Sequence, residues 1–108
     1  MSDLRAKSNN PDLEDILENL RTHMTKLQEQ YGVRSFAVFG SYLRGGHRKR
    51  GDLDLLVEFE EGARMTLFRF VRLEGHLREL LGVKVDLVMK SALKPAIGER
   101  ILAEALPV

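Results

Sequence analysis

The order of periodicities along the chain predicts an α/β (α+β) domain, a small mixed or antiparallel sheet flanked by helices. Two observations carry this. Apolar residues recur at helical spacing in two long stretches, and three short runs rich in β-branched and aromatic residues lie between and after them. The resulting order is helix, strand, strand, helix, strand, helix, which suits a two-layer sandwich. At 108 residues and 44% hydrophobic content, residues 1–108 fit one domain with a single modest core.

The polar segment 1–9 is expected to be flexible. Asn10-Pro11-Asp12 reads as a helix start, with Asn at the cap, Pro at the first helical position and an acid in the first turn. Leu13, Ile16, Leu17, Leu20, Met24 and Leu27 then form one apolar stripe ending near Gly32. The first strand is predicted over 33–39 and stops at Gly40-Ser41. A glycine-rich basic loop follows, with room for one helical turn after Ser41, and a second strand is predicted over 52–59. The second helix is predicted from Met65 to Leu81, with Leu67, Phe70, Val71, Leu77, Leu80 and Leu81 as its apolar set and Gly82 as its C-cap. The third strand is predicted over 83–89. A last helical stretch includes Ile97, Ile101, Leu102 and Ala105 and ends at Pro107.

Composition narrows the chemistry. With no cysteine there is neither a disulfide framework nor a thiolate zinc site, and His23, His47 and His76 form no pair at ligand spacing. A metal would therefore rest on carboxylates, which suit a hard cation such as Mg²⁺. The net charge of +1, from 17 Lys and Arg against 16 Asp and Glu, gives no bulk case for binding nucleic acid directly. No apolar run reaches signal-peptide or membrane-spanning length, so a cytoplasmic location is expected.

The candidate site lies on the strands. Asp52 and Asp54 point to one side of theirs, while Leu53, Leu55 and Val57 point to the other. Two neighbouring carboxylates repel unless a cation neutralises them. On the third strand, Asp86 faces opposite to Val85 and Leu87, so it approaches Asp54 if the two strands are neighbours. Three carboxylates in one patch would bridge two Mg²⁺ ions, an arrangement suited to in-line displacement at phosphorus. Gly40-Ser41 adds close backbone approach, free N–H groups and a hydroxyl for a phosphate. Arg44, three residues on, would meet the same phosphates or hold the loop.

Gly40-Ser41, ten intervening residues, then Asp52-Leu53-Asp54 resembles the signature of the DNA polymerase beta-like nucleotidyltransferase superfamily. Phe39-Gly40-Ser41-Tyr42-Leu43-Arg44-Gly45, followed by Asp52-Leu53-Asp54-Leu55-Leu56-Val57, looks more specifically like its minimal nucleotidyltransferase (MNT) subfamily. Val83-Lys84-Val85-Asp86-Leu87-Val88 is similar to that family's third-carboxylate strand. The likeness runs from Val33 to the C-terminus, with one departure: Gly51 stands where many relatives carry Ser, and no metal ligand is lost by it.

The resemblance implies a palm-type core, Asp52, Asp54 and Asp86 as metal ligands, and Gly40 and Ser41 as triphosphate contacts. It also implies ATP as substrate and a HEPN-domain RNase toxin as heteromeric partner. Members of this family act as antitoxin, some by transferring AMP to a tyrosine of the toxin. With no residues left over for an acceptor domain, the acceptor is expected on another chain. Two rivals stand beside this reading. One is an antitoxin that neutralises by binding alone, the other a nucleotidyltransferase acting on a small molecule. The run His47-Arg48-Lys49-Arg50 reads as a solvated loop, Tyr42 as packing or loop structure, and Arg64, Arg69, Arg72 and Arg78 as a solvated helix face.

Overall fold

The computed structural model describes residues 12–40, 42–43 and 52–108. Helix α1 spans Leu13–Tyr31. Its cap is Asp12 and not the expected Asn10, which lies outside the described residues together with Pro11. Asp12 has extended backbone (φ −85°, ψ 174°), and its Oδ1 accepts the Asp15 N–H at 3.0 Å, satisfying an amide the helix cannot. Gly32 ends the helix in the left-handed region (φ 74°), its N–H donating to the Gln28 carbonyl at 2.9 Å. Ile16, Leu17, Leu20 and Leu27 are buried and Leu13 and Met24 pack partly against them, as the stripe predicts.

Strands β1 (Val33–Phe39) and β2 (Leu53–Phe59) pair antiparallel. The register shifts between Val33 and Ser35, a bulge that lets Val33, Phe36 and Val38 all face the core despite their uneven spacing. Helix α2 (Leu67–Leu81) crosses over to β3 (Val85–Met89), which pairs parallel to β2. A 3-10 turn (Lys90–Ala92) leads to helix α3 (Pro95–Glu104), and Leu106–Pro107 forms a short β4 against β1. The sheet is therefore mixed, in the order β3-β2-β1-β4. Strand β4 was not expected, because a proline beside the helix end reads as a stop. Proline is tolerated on an edge, and the Val108 N–H extends the contact by donating to the Phe36 carbonyl at 3.0 Å.

α1 and α2 join one apolar core with β1, β2 and β3, centred on Leu20, Val38, Leu55, Leu73 and Leu77, all fully buried. The Asn19 side-chain amide donates to the Leu80 carbonyl at 2.9 Å, and Tyr31 meets His76 edge-on, tying the two helices together. The predicted apolar set of α2 needs correction. Its buried line is Leu73, Leu77 and Leu81, with Phe70 and Leu80 partly packed, whereas Leu67 and Val71 are 78% and 54% exposed. Thr66 caps this helix, its Oγ1 accepting the Arg69 N–H at 3.1 Å. At roughly 100° per residue, Val71 sits about 120° around the helix from Leu77, off the core line. Among the described residues no helix is long and apolar enough to cross a membrane.

This distinction is measurable. Leu77→Ala is expected to cost about 2–5 kcal/mol in a denaturant melt, and Val71→Ala no more than about 0.5 kcal/mol.

Candidate functional site

The sheet register assembles the centre of the site. Asp54, the second residue of β2, pairs across one edge with Phe39 of β1 and across the other with Asp86 of β3. Neighbouring strands run about 4.8 Å apart, so the two acids leave adjacent backbone positions. They also leave on the same face. Asp86 is exposed between buried Val85 and Leu87, and Asp54 is half-buried between buried Leu53 and Leu55. Asp52 is exposed and immediately precedes β2, where the Leu53 N–H donates to the Lys84 carbonyl at 2.9 Å and anchors the start of the strand beside β3.

Gly40 directly follows Phe39 and so lies next to Asp54. Its φ is +81°, a region costly for side chains. A Cβ built there would overlap Asp54 Oδ2 and stand 2.9 Å from Asp54 Cγ. In the sequence this glycine reads as a place for close phosphate approach. The structure adds a second need that no linear spacing displays: the missing Cβ makes room for a carboxylate from another strand. The turn closes through the Leu43 N–H, which donates to the Gly40 carbonyl at 3.1 Å.

Tyr42 anchors this turn from below. Only 1% exposed, it is among the largest fully buried side chains, in keeping with its reading as packing. Burial, and secondly the negative charge of Asp12, push its phenol above the ordinary value of 10.0.

Of the predicted site residues, Asp54, Asp86 and Gly40 are brought together, and Asp52 sits two positions from Asp54 at the mouth of the same strand. Ser41 and Arg44 lie outside the described residues, as do Gly51 and the basic run 47–50. The backbone approach does not extend to a closed cage. Among the described residues, no three His, Cys, Asp or Glu side chains are gathered at metal-holding distance. The donor set itself, carboxylate oxygens from two adjacent strands beside a glycine turn, fits a hard divalent cation. A separate apolar cleft of roughly 420 Å³, lined by Met65, Leu67, Phe70, Met89 and Ala92 among others, opens towards the other end of β3. Among the described residues, none of those lining it is titratable.

The sequence profile of the family described as "Nucleotidyltransferase domain" matches residues 20–107. Protein adenylyltransferase MntA of Thermococcus cleftensis is 47% identical over 96 residues, covering 89% of this chain and 95% of that one. A candidate protein adenylyltransferase of Methanocaldococcus jannaschii is 42% identical over 94 residues, covering 87% and 94%. Among solved structures, a candidate minimal nucleotidyltransferase superposes with a TM-score of 0.75 at 42% identity, covering 94% of this chain and 100% of that one. A tri-AMPylated Shewanella oneidensis HEPN toxin in complex with MNT antitoxin gives a TM-score of 0.60 at 17% identity, covering 85% and 70%, a likeness of fold.

Two outcomes are expected. Gly40→Ala should lower stability by about 1–3 kcal/mol through backbone strain. It should also shift the ¹³C carboxyl resonance of Asp54, which strain alone would leave in place. For Tyr42, the fold favours the neutral phenol, so the unfolded chain ionises first. Stability should be unaffected below pH 10.0 and fall from there towards the raised folded value. Comparing denaturant midpoints of the wild type and Tyr42→Phe across that range isolates this slope, which the variant should lack.

Proposed function

The chain belongs to the nucleotidyltransferase domain family, and from that premise we propose that it transfers AMP from ATP to a hydroxyl, a tyrosine in the first instance, of a HEPN-domain toxin and so acts as its antitoxin. The observation that carries the reading is the register of Asp54 with Asp86 beside Gly40. Relatives named protein adenylyltransferase and similarly folded antitoxins in complex with HEPN toxins support it.

In this reading Asp52, Asp54 and Asp86 would hold Mg²⁺, with two ions the expected number. Held there, Mg²⁺ would supply positive charge that lowers the pKa of the attacking hydroxyl and offsets charge on the triphosphate. Gly40 and Ser41 orient the triphosphate, with Arg44 on the same phosphates or on the loop. The acceptor oxygen attacks the α-phosphorus while the bond to the bridging oxygen breaks. AMP passes to the acceptor, pyrophosphate leaves, and the hydroxyl proton goes to solvent. Fixed donors aimed at the nonbridging oxygens help most where charge builds, in the transition state. The acceptor comes from the partner chain.

A second reading, neutralisation by occlusion alone, draws on a different observation. Leu67, Phe68 and Val71 are exposed on the first half of α2, an apolar surface a partner could cover.

The chain, ATP, Mg²⁺ and a HEPN-domain toxin offered as partner should together give that toxin an adenylate-sized mass increment and release pyrophosphate. Asp54→Asn or Asp86→Asn should slow transfer by at least about 10²-fold. No increment with the wild type would count against transfer. Full neutralisation of the toxin by the Asp52→Asn, Asp54→Asn double variant would establish occlusion in its place.

A further inference from the structure

Among the described residues, strand β3 is at the edge of the sheet: β2 lies on one side and no strand on the other. An edge strand has backbone groups that no ladder satisfies, and a short one frays unless something else holds it. β3 has only five residues, yet it carries Asp86. The Leu87 N–H finds an acceptor outside the sheet, the Oε2 of Glu74 on α2, at 3.3 Å. Glu74 is half-buried and follows Leu73, which is fully buried and fixes that turn of α2 against the core.

The position of this bond matters more than its strength. The Leu87 N–H belongs to the peptide unit that joins Asp86 to Leu87. Its plane is rigid, so holding the N–H restrains the Asp86 backbone. Asp86 is thus held from two directions, by its register with Asp54 on the β2 side and by the Glu74 carboxylate on the open side. An ionised acceptor makes the hydrogen bond stronger than a neutral one would.

We propose that Glu74 is a positioning residue for Asp86: by accepting the Leu87 N–H it fixes the edge strand so that Asp86 and Asp54 present one separation to a divalent cation. The inference rests on the reading of Asp86 as a metal ligand. Groups that orient ligands from behind are worth about 10–100-fold in metal affinity, and Glu74 acts at one remove, through the main chain.

The test uses the full chain with Mg²⁺ alone, followed by NMR. Backbone amide exchange at Leu87 is read without metal, and amide shifts at residues 53–55 and 85–87 are read during a Mg²⁺ titration. Glu74→Ala removes the acceptor and is expected to speed Leu87 exchange and to raise half-saturating Mg²⁺ about 10-fold. Glu74→Gln keeps an acceptor oxygen at the same reach and should restore Mg²⁺ affinity to within about 3-fold of wild type. Glu74→Asp keeps the charge, draws the oxygen back by one methylene and should behave like Ala, which keeps the test decisive if the Ala variant folds poorly. Wild-type affinity in Glu74→Asp, or a Gln variant as impaired as Ala, would overturn the proposal. Asp86→Asn separates the two layers. If it leaves Mg²⁺ binding intact, the reading of Asp86 fails and this inference with it. If it weakens binding while the Glu74 variants do not, only the positioning role is lost.

Discussion

Placement of β2 between an antiparallel and a parallel neighbour is the constraint on which the site depends. The antiparallel pairing brings the end of β1, and the glycine after it, to the start of β2. The parallel pairing brings the start of β3 to the same level. Asp54 is the position where the two meet. An antiparallel β3 would instead bring its end, and not its start, beside the start of β2. The helical crossover through α2 makes the parallel pairing possible and sends the start of β3 back to the start of β2.

The core holds that register in place. Leu53, Leu55 and Val57 of β2 are buried against Leu73 and Leu77 of α2 and Leu20 of α1, so a one-residue slip would turn Asp54 inward and a leucine outward. The energetic preference is large. Burying a leucine is worth about 1.5–3 kcal/mol, and an unpaired carboxylate in the core costs more than that. The burial that folds the domain therefore also keeps the acids on the solvent side.

Much of this was legible in the sequence. Alternation around Asp54 and Asp86 gave their facing, and the order of elements gave the α/β architecture. The Gly40-Ser41 and Asp52-Leu53-Asp54 spacing pointed to the nucleotidyltransferase family. What was not legible depends on contacts between distant residues. The overlap a Gly40 side chain would make with Asp54, the Glu74 bond to the Leu87 amide and the short β4 each join segments that periodicity treats separately. The exposure of Leu67 and Val71 has the same origin. Helical spacing identifies an apolar stripe, but the neighbouring layer decides which part of it is covered. The cap moved from Asn10 to Asp12 because both types cap well, and local sequence alone does not rank them.

The most direct measurement of the central claim is paramagnetic broadening with Mn²⁺ and a nonhydrolysable ATP analogue. The account predicts that Asp54→Asn and Asp86→Asn each raise several-fold the Mn²⁺ concentration at which the amide signals of residues 53–55 and 85–87 disappear. Broadening at wild-type Mn²⁺ concentration in Asp86→Asn would contradict a shared cation between the two strands.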